Sequence, residues 1–141
     1  MNIVIDTNVL SEMSRTAPDA NVLRWLAELD EDRAFVSVVT LGELRRGVLL
    51  LDPGRRRDAL TEWLSHEMLD RFAGRVLPVD AAAAEAWAEL MAESKRNGLQ
   101  PSPLDGFIAA SALSRGMALA TRNVRDFVAF GVELVNPWEP I

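Results

Sequence analysis

The chain has 141 residues, 49% of them hydrophobic, enough for one domain to build its core without metal or disulfide staples. It has no cysteine, which excludes a disulfide framework, a zinc–thiolate site and a thiol nucleophile, and fits a reducing compartment. With 15 basic against 21 acidic side chains, net −6, it is not a protein that holds nucleic acid by general electrostatic attraction, so a polyanionic substrate needs local arginines or a metal.

In chain order, the first expected element is the strand-like NIVI, which stops at Asp6 and is followed by polar Thr7 and Asn8, where a helix is expected to begin. This start lacks the basic residues and long apolar middle of a signal peptide, and no later run approaches membrane-spanning length, so a cytoplasmic protein without a membrane segment is expected. NVLRWLAELD places Val22, Leu23, Leu26 and Leu29 on one helical stripe. AFVSV is strand-like, and TLGELRRGVLLL follows as a helix with Leu41, Leu44, Val48 and Leu51 on one side. Asp52, Pro53 and Gly54 break that pattern, and it resumes from Arg55 to Phe72 as another helix. The single histidine, His66, lies there and reads as a solvated helix residue.

RVLPV is a short candidate strand, and the alanine-rich AAAAEAWAELMAESKRNG is a helix stopping at Gly98. LQPSPLDGFIAASALSRG is a loop, then a helix that starts at Pro103 and stops at Gly116. MALAT and VELVN close the chain as two more candidate strands. With no internal repeat or linker, this alternation predicts a single domain over 1–141: a mostly parallel sheet with helices on both faces, a three-layer α/β/α sandwich.

In such a sheet, ligands bind beyond the carboxyl ends of strands, where helices begin. Asp6 sits at such an end, and it reads equally as an N-cap or as a catalytic acid. Three further acids carry the same ambiguity. Thr40 to Glu43, Ser102 to Asp105 and Asn123 to Asp126 each place a capping residue three positions before an acid, the signature of a capping box. What favours chemistry is their common location, because Asp6, Glu43 and Asn123 follow strands, whereas Asp105 follows a loop and joins them only through tertiary folding. Carboxylates gathered within a few ångströms repel one another unless a divalent cation sits among them. An all-oxygen set without His or Cys favours Mg²⁺ or Mn²⁺, which leaves coordination positions for a phosphate oxygen and a water. The implied chemistry is phosphodiester hydrolysis.

At these residues the chain resembles the PIN-domain ribonucleases, in particular the VapC- and FitB-type toxins of bacterial toxin–antitoxin pairs. IDTNVLSE resembles the family's opening strand and first acid, SVVTLGELRRGV its second motif, DGFIAASA its third, and ATRNVRDF with VNPWE the FitB-like ending. The resemblance spans essentially the whole chain. It implies a PIN-like sandwich that cuts RNA endonucleolytically with Mg²⁺ or Mn²⁺. It also implies a homodimer, inhibition by a cognate antitoxin in a hetero-oligomer, and contact with DNA only through that antitoxin. Asp6 and Asp105 would be the main metal ligands, and Glu43 would complete the acidic pocket and orient or deprotonate water. Thr7, Asn8 and Thr121 would support them by hydrogen bonds. Many relatives carry a fourth acid where this chain has Asn123, so the fourth place falls to Asn123 or to Asp126.

Arg45, Arg46 and Arg122 lie beside these motifs and are candidates for RNA contact, against their ordinary reading as solvated charge. Arg55, Arg56 and Arg57 read as plain surface. Trp25, Trp63 and Trp87 read as core or interface, and Trp138 is open to either role. The apolar run Val48 to Leu51 suggests a surface covered by a second copy or by an antitoxin segment. Two rival readings remain: a phosphohydrolase using Asp6 as an aspartyl nucleophile, which generally wants an acid where Asn8 stands, and a non-catalytic PIN-like binding module whose boxes only cap helices.

Overall fold

The computed structural model describes residues 1–140. Within them five strands, Ile3–Ile5 (β1), Ala34–Ser37 (β2), Val76–Leu77 (β3), Ala118–Ala120 (β4) and Leu134–Val135 (β5), form a parallel sheet in the order β3-β2-β1-β4-β5. In the centre Val4 pairs with Phe35 on one side and Leu119 on the other. Period-2 alternation sends Ile3, Ile5, Ala34, Val36, Ala118 and Ala120 to one face and Val4, Phe35 and Leu119 to the opposite one. A strand buried on both faces reads as a continuous apolar run, as NIVI does.

The helices divide by chain half. Thr7–Met13 (α1), Ala20–Glu28 (α2), Val38–Leu49 (α3) and Arg55–Glu62 (α4) contribute Val9, Leu10, Val22, Leu44 and Val48 to the first face, together with Leu60 from α4. A π-helical stretch, Trp63–Met68, joins α4 to Leu69–Arg71 (α5) and adds Leu64 and Met68. Ala81–Arg96 (α6), Pro103–Leu113 (α7) and Val124–Phe127 (α8) cover the second face through Leu90, Ile108 and Phe127. The expected three-layer sandwich is therefore present, and all of its strand pairs are parallel.

Local differences have local causes. Val38 starts α3 instead of ending a strand, because Ser37 caps there and accepts from the Val39 N–H. Leu23 is 46% exposed, since the buried stripe of α2 runs Val22, Trp25, Leu26, Leu29, the i, i+3, i+4, i+7 set. Strand β3 ends at Leu77, ahead of Pro78, which has no N–H to give a ladder. The expected helix stops at Gly98 and Gly116 stand at φ +77° and +66°, the left-handed region. His66 is exposed, 3.5 Å from Glu62, as expected of a solvated helix residue. Among the described residues no helix is long and apolar enough to cross a membrane.

The strand order reverses beside β1. The chain runs from β1 outward to β2 and β3, then returns to the other side for β4 and β5. The helices leaving the carboxyl ends of β1 and β4 therefore diverge, which opens a crevice at that point.

Candidate active site

Asp6 is the first residue beyond β1. Its backbone N–H still donates to Ala120 O at 2.9 Å, which extends the ladder by one step and holds the residue against β4. Its side chain caps α1, with Oδ1 accepting from the Thr7 N–H at 2.8 Å. The capping expectation is met, and the residue does more than cap. Oδ2 accepts from the Thr121 hydroxyl at 2.7 Å and from Asn8 Nδ2 at 3.3 Å. Thr121, just past β4, accepts in turn from Asn8 Nδ2 at 3.3 Å and from the Asn123 N–H at 3.0 Å. At 4% exposure Asp6 is a buried carboxylate. Burial raises its pKa above 3.8, the hydrogen bonds from Thr121 and Thr7 pull it back, and the charge of Glu43 pushes it up again.

Glu43 lies in the second turn of α3. The box expected between Thr40 and Glu43 does not form, because Ser37 is the cap and Thr40 is a buried residue inside the helix. Released from capping, Glu43 accepts instead from the Thr7 hydroxyl through Oε1 at 2.8 Å. Asp105 occupies the third position of α7, after the cap Ser102 and Pro103 at the first turn. Ser102 Oγ accepts from the Asp105 N–H at 3.4 Å, so this box is half made. Burial, followed by the charges of Asp6, Glu43 and Asp126, pushes the Asp105 carboxyl up to about 6. The third expected box is not closed, since Asn123 stands at the cap of α8 without a side-chain cap bond.

Asp6, Glu43 and Asp105, drawn from a strand end and two separate helices, line one open cleft of about 540 Å³. Thr7, Asn8 and Asn123 share it. Asp126 instead lines an adjoining depression that also reaches Asp105, so of the two candidates for the fourth place Asn123 is the one inside the cleft. Among the arginines, Arg122 lines the cleft, whereas Arg45 and Arg46 are exposed on α3 and do not. Arg56, set aside in the sequence as plain surface, lines it too, as does Trp138. No sequence signal marks Arg56, because its place depends on how α4 folds back toward α1. Trp25 and Trp63 pack on the core, and Trp87 stacks on Phe107 with ring centroids 4.5 Å apart.

The donors are carboxylate, hydroxyl and amide oxygens, the chemistry of a hard cation. Among the described residues no three acidic groups stand close enough to enclose an ion unaided. That openness suits an ion that keeps several waters and takes one or two carboxylates directly. Asp6 retains lone pairs beyond the three bonds it accepts, and the mutual repulsion felt at Asp105 is what a cation would relieve. The residues present therefore fit Mg²⁺ or Mn²⁺.

Residues 3–131 match the family model of the PIN domain. The chain is 41% identical over 138 residues, covering 98% of this chain and 99% of the relative, to the VapC ribonuclease Y4jK of Sinorhizobium fredii. It is 39% identical to the toxin FitB of Neisseria gonorrhoeae, covering 96% of this chain and 98% of that protein. The solved structure of FitAB bound to a DNA fragment superposes with a TM-score of 0.93 at 37% identity, over 99% of this chain and 97% of the other. With a matching family model over nearly its full length and near-complete alignment to these proteins, the chain belongs to the PIN-domain family, in the group that holds VapC and FitB.

Proposed function

We propose that this protein is a Mg²⁺- or Mn²⁺-dependent endoribonuclease and the toxin of a toxin–antitoxin pair. The observation that carries this reading is the meeting of Asp6, Glu43 and Asp105 in one cleft from positions far apart in the chain. The names of the similar VapC ribonuclease and FitB toxin support it.

Asp6 and Asp105 would hold the ion. When bound, it supplies positive charge for the phosphate and lowers the pKa of water. Thr7, Asn8 and Thr121 keep the Asp6 carboxylate in one orientation through their hydrogen bonds. Thr7 also fixes Glu43 through Oε1, which leaves Oε2 to orient an attacking water and take its proton. Asn123 offers a neutral carbonyl at the cleft where an acid would add charge.

The aspartyl-phosphate alternative is disfavoured by the same geometry. Asn8 stands where that chemistry wants an acid, and its amide is committed to hydrogen bonds with Asp6 Oδ2, Thr121 Oγ1 and the Arg122 N–H. The binding-module alternative rests on capping, yet of Asp6, Thr40, Ser102 and Asn123 only Asp6 and Ser102 make side-chain cap bonds. A cognate antitoxin is the expected partner, in a hetero-oligomer through which DNA is reached; the FitAB complex bound to a DNA fragment supports this. Leu49 and Leu50, 48% and 70% exposed at the end of α3, fit a homodimer or antitoxin contact. The protein is proposed to work in the cytoplasm.

The test uses purified, antitoxin-free chain and total RNA, with Mg²⁺ or with EDTA. Cleavage should require the ion and vanish in Asp105→Asn while circular dichroism stays native. Undiminished cutting by that variant refutes the catalytic assignment.

A further inference from the structure

The acidic floor of the cleft repels RNA, so some group of this chain must hold the strand there. Three arginines line the cleft, and they differ in what they are free to do. Arg15 is paired with Glu12 at 3.2 Å and is largely neutralised. Among the described residues neither Arg56 nor Arg122 has a carboxylate within ion-pair distance; the arginine pairs are those of Arg15, Arg33, Arg71, Arg96 and Arg115.

The two free arginines stand on different sides of the acids. Arg56, in the first turn of α4, also borders the adjoining groove that contains Thr7 and Glu43, so it belongs to the α1–α3 side. Arg122 belongs to the β4 side, where its backbone N–H donates to Asn8 Oδ1 at 3.2 Å. Its guanidinium lies over the Trp138 ring, 5.1 Å from the centroid. Trp138 is itself fixed: it packs on the core of the first face, its N–H donates to Asn136 Oδ1 at 3.0 Å, and its carbonyl accepts from Asn21 Nδ2 at 2.9 Å. An exposed arginine normally loses much rotamer freedom on binding a phosphate, and a ring beneath the guanidinium removes part of that loss beforehand.

We propose that Arg122, seated over the Trp138 ring, and Arg56 on the opposite side form a two-point grip for the phosphates that flank the scissile bond of a single RNA strand. Trp138 is then a positioning residue that acts through Arg122. This rests on the ribonuclease reading and adds to it the residues that select and place the strand. A guanidinium restrained over a ring suits bidentate contact with phosphate, and both arginines line the cleft of the acids without joining them in ion pairs.

The test is binding of a fluorescently labelled, unstructured 12-nucleotide RNA to the antitoxin-free chain carrying Asp105→Asn, so that the strand survives, followed by anisotropy over a range of NaCl concentrations. Arg122→Ala and Arg56→Ala should each weaken binding about tenfold and reduce the slope of log K against log salt by ~0.7, the value for one phosphate contact on a single strand. Arg33→Ala, just before the amino end of β2 and outside the cleft, should change neither. Trp138→Ala should match Arg122→Ala, Trp138→Phe should stay within about twofold of the parent, and the Trp138→Ala/Arg122→Ala pair should be no weaker than Arg122→Ala alone. Parental affinity and slope in Arg122→Ala and Arg56→Ala overturn the grip, whether or not the tryptophan variants fold. Absence of ion-dependent cleavage by the wild-type chain is a different result, and it would remove the ribonuclease reading itself.

Discussion

Replacing Asp105 by Asn in the metal-free protein removes a charge that Asp6, Glu43 and Asp126 all repel. Burial first, and those charges second, raise its pKa from 3.8 to about 6. At 1.36 kcal/mol per pH unit, that rise sets a ceiling of about 3 kcal/mol on what ionisation of this group removes from stability at neutral pH. Two effects lower the figure. Solvent screens a carboxylate in an open cleft, and the N-terminal turn of α7 favours negative charge by ~0.3–1 kcal/mol, which leaves an expected net gain of ~1 kcal/mol for Asp105→Asn. The sign with pH follows from the direction of the rise. The folded state binds this proton more tightly than the unfolded state, so the group's contribution is fully present below 3.8 and is lost as pH climbs through about 6. Urea unfolding in EDTA at pH 7.5 and pH 4.5 measures it. Asp105→Asn should be the more stable protein at the higher pH, with the gap narrowing at the lower one. A variant less stable than wild type at pH 7.5, or a gap of the same size at both values, refutes the claim that these carboxylates repel one another.

Thr121→Val removes the 2.7 Å donor to the buried Asp6 carboxylate and should cost ~1.5–3 kcal/mol, more at neutral than at acid pH because Asp6 is then harder to ionise; Thr121→Ser should restore most of it in the same urea assay. At Gly106 a Cβ would stand 2.8 Å from Met91 Sδ and 3.0 Å from Trp87 Nε1, so Gly106→Ala should push α7 from α6 at a cost of about 1–3 kcal/mol. Because Asp105 is the preceding residue, RNA cleavage should fall further than the urea midpoint predicts, and cleavage that tracks stability alone would count against this. Asn123→Asp adds an acid inside the cleft; it should tighten divalent binding roughly tenfold, read from the Mg²⁺ dependence of Tm, while lowering stability in EDTA.

Much of the fold is legible along the chain because its causes act over a few residues. Apolar runs such as NIVI and MALAT announce buried strands, Gly98 and Gly116 announce helix ends, and all five expected strands are present in shortened form. Helix faces were legible to within one position, and Leu23 shows the margin: neighbouring apolar residues on a helix lie 100° apart, and packing selects between them. Caps were less legible. Thr40 and Ser37 are both good caps near the same helix start, and only the length of the β2 ladder decides for Ser37.

The sequence by itself determined the alternation of strand and helix, and it placed each acid at or near a helix start, since hydrogen bonding and hydrophobic periodicity are local. Which acids face one another was decided by the order β3-β2-β1-β4-β5, which sets the ends of β1 and β4 side by side, and by the close approach of α7 to α6 at Gly106. The same holds for Arg56 and Trp138: one reads as an ordinary surface charge and the other stays open between core and site until the chain folds back. Electrostatic repulsion and ion pairing depend on distance through space, and residues separated by tens of positions acquire that distance only when the layers pack.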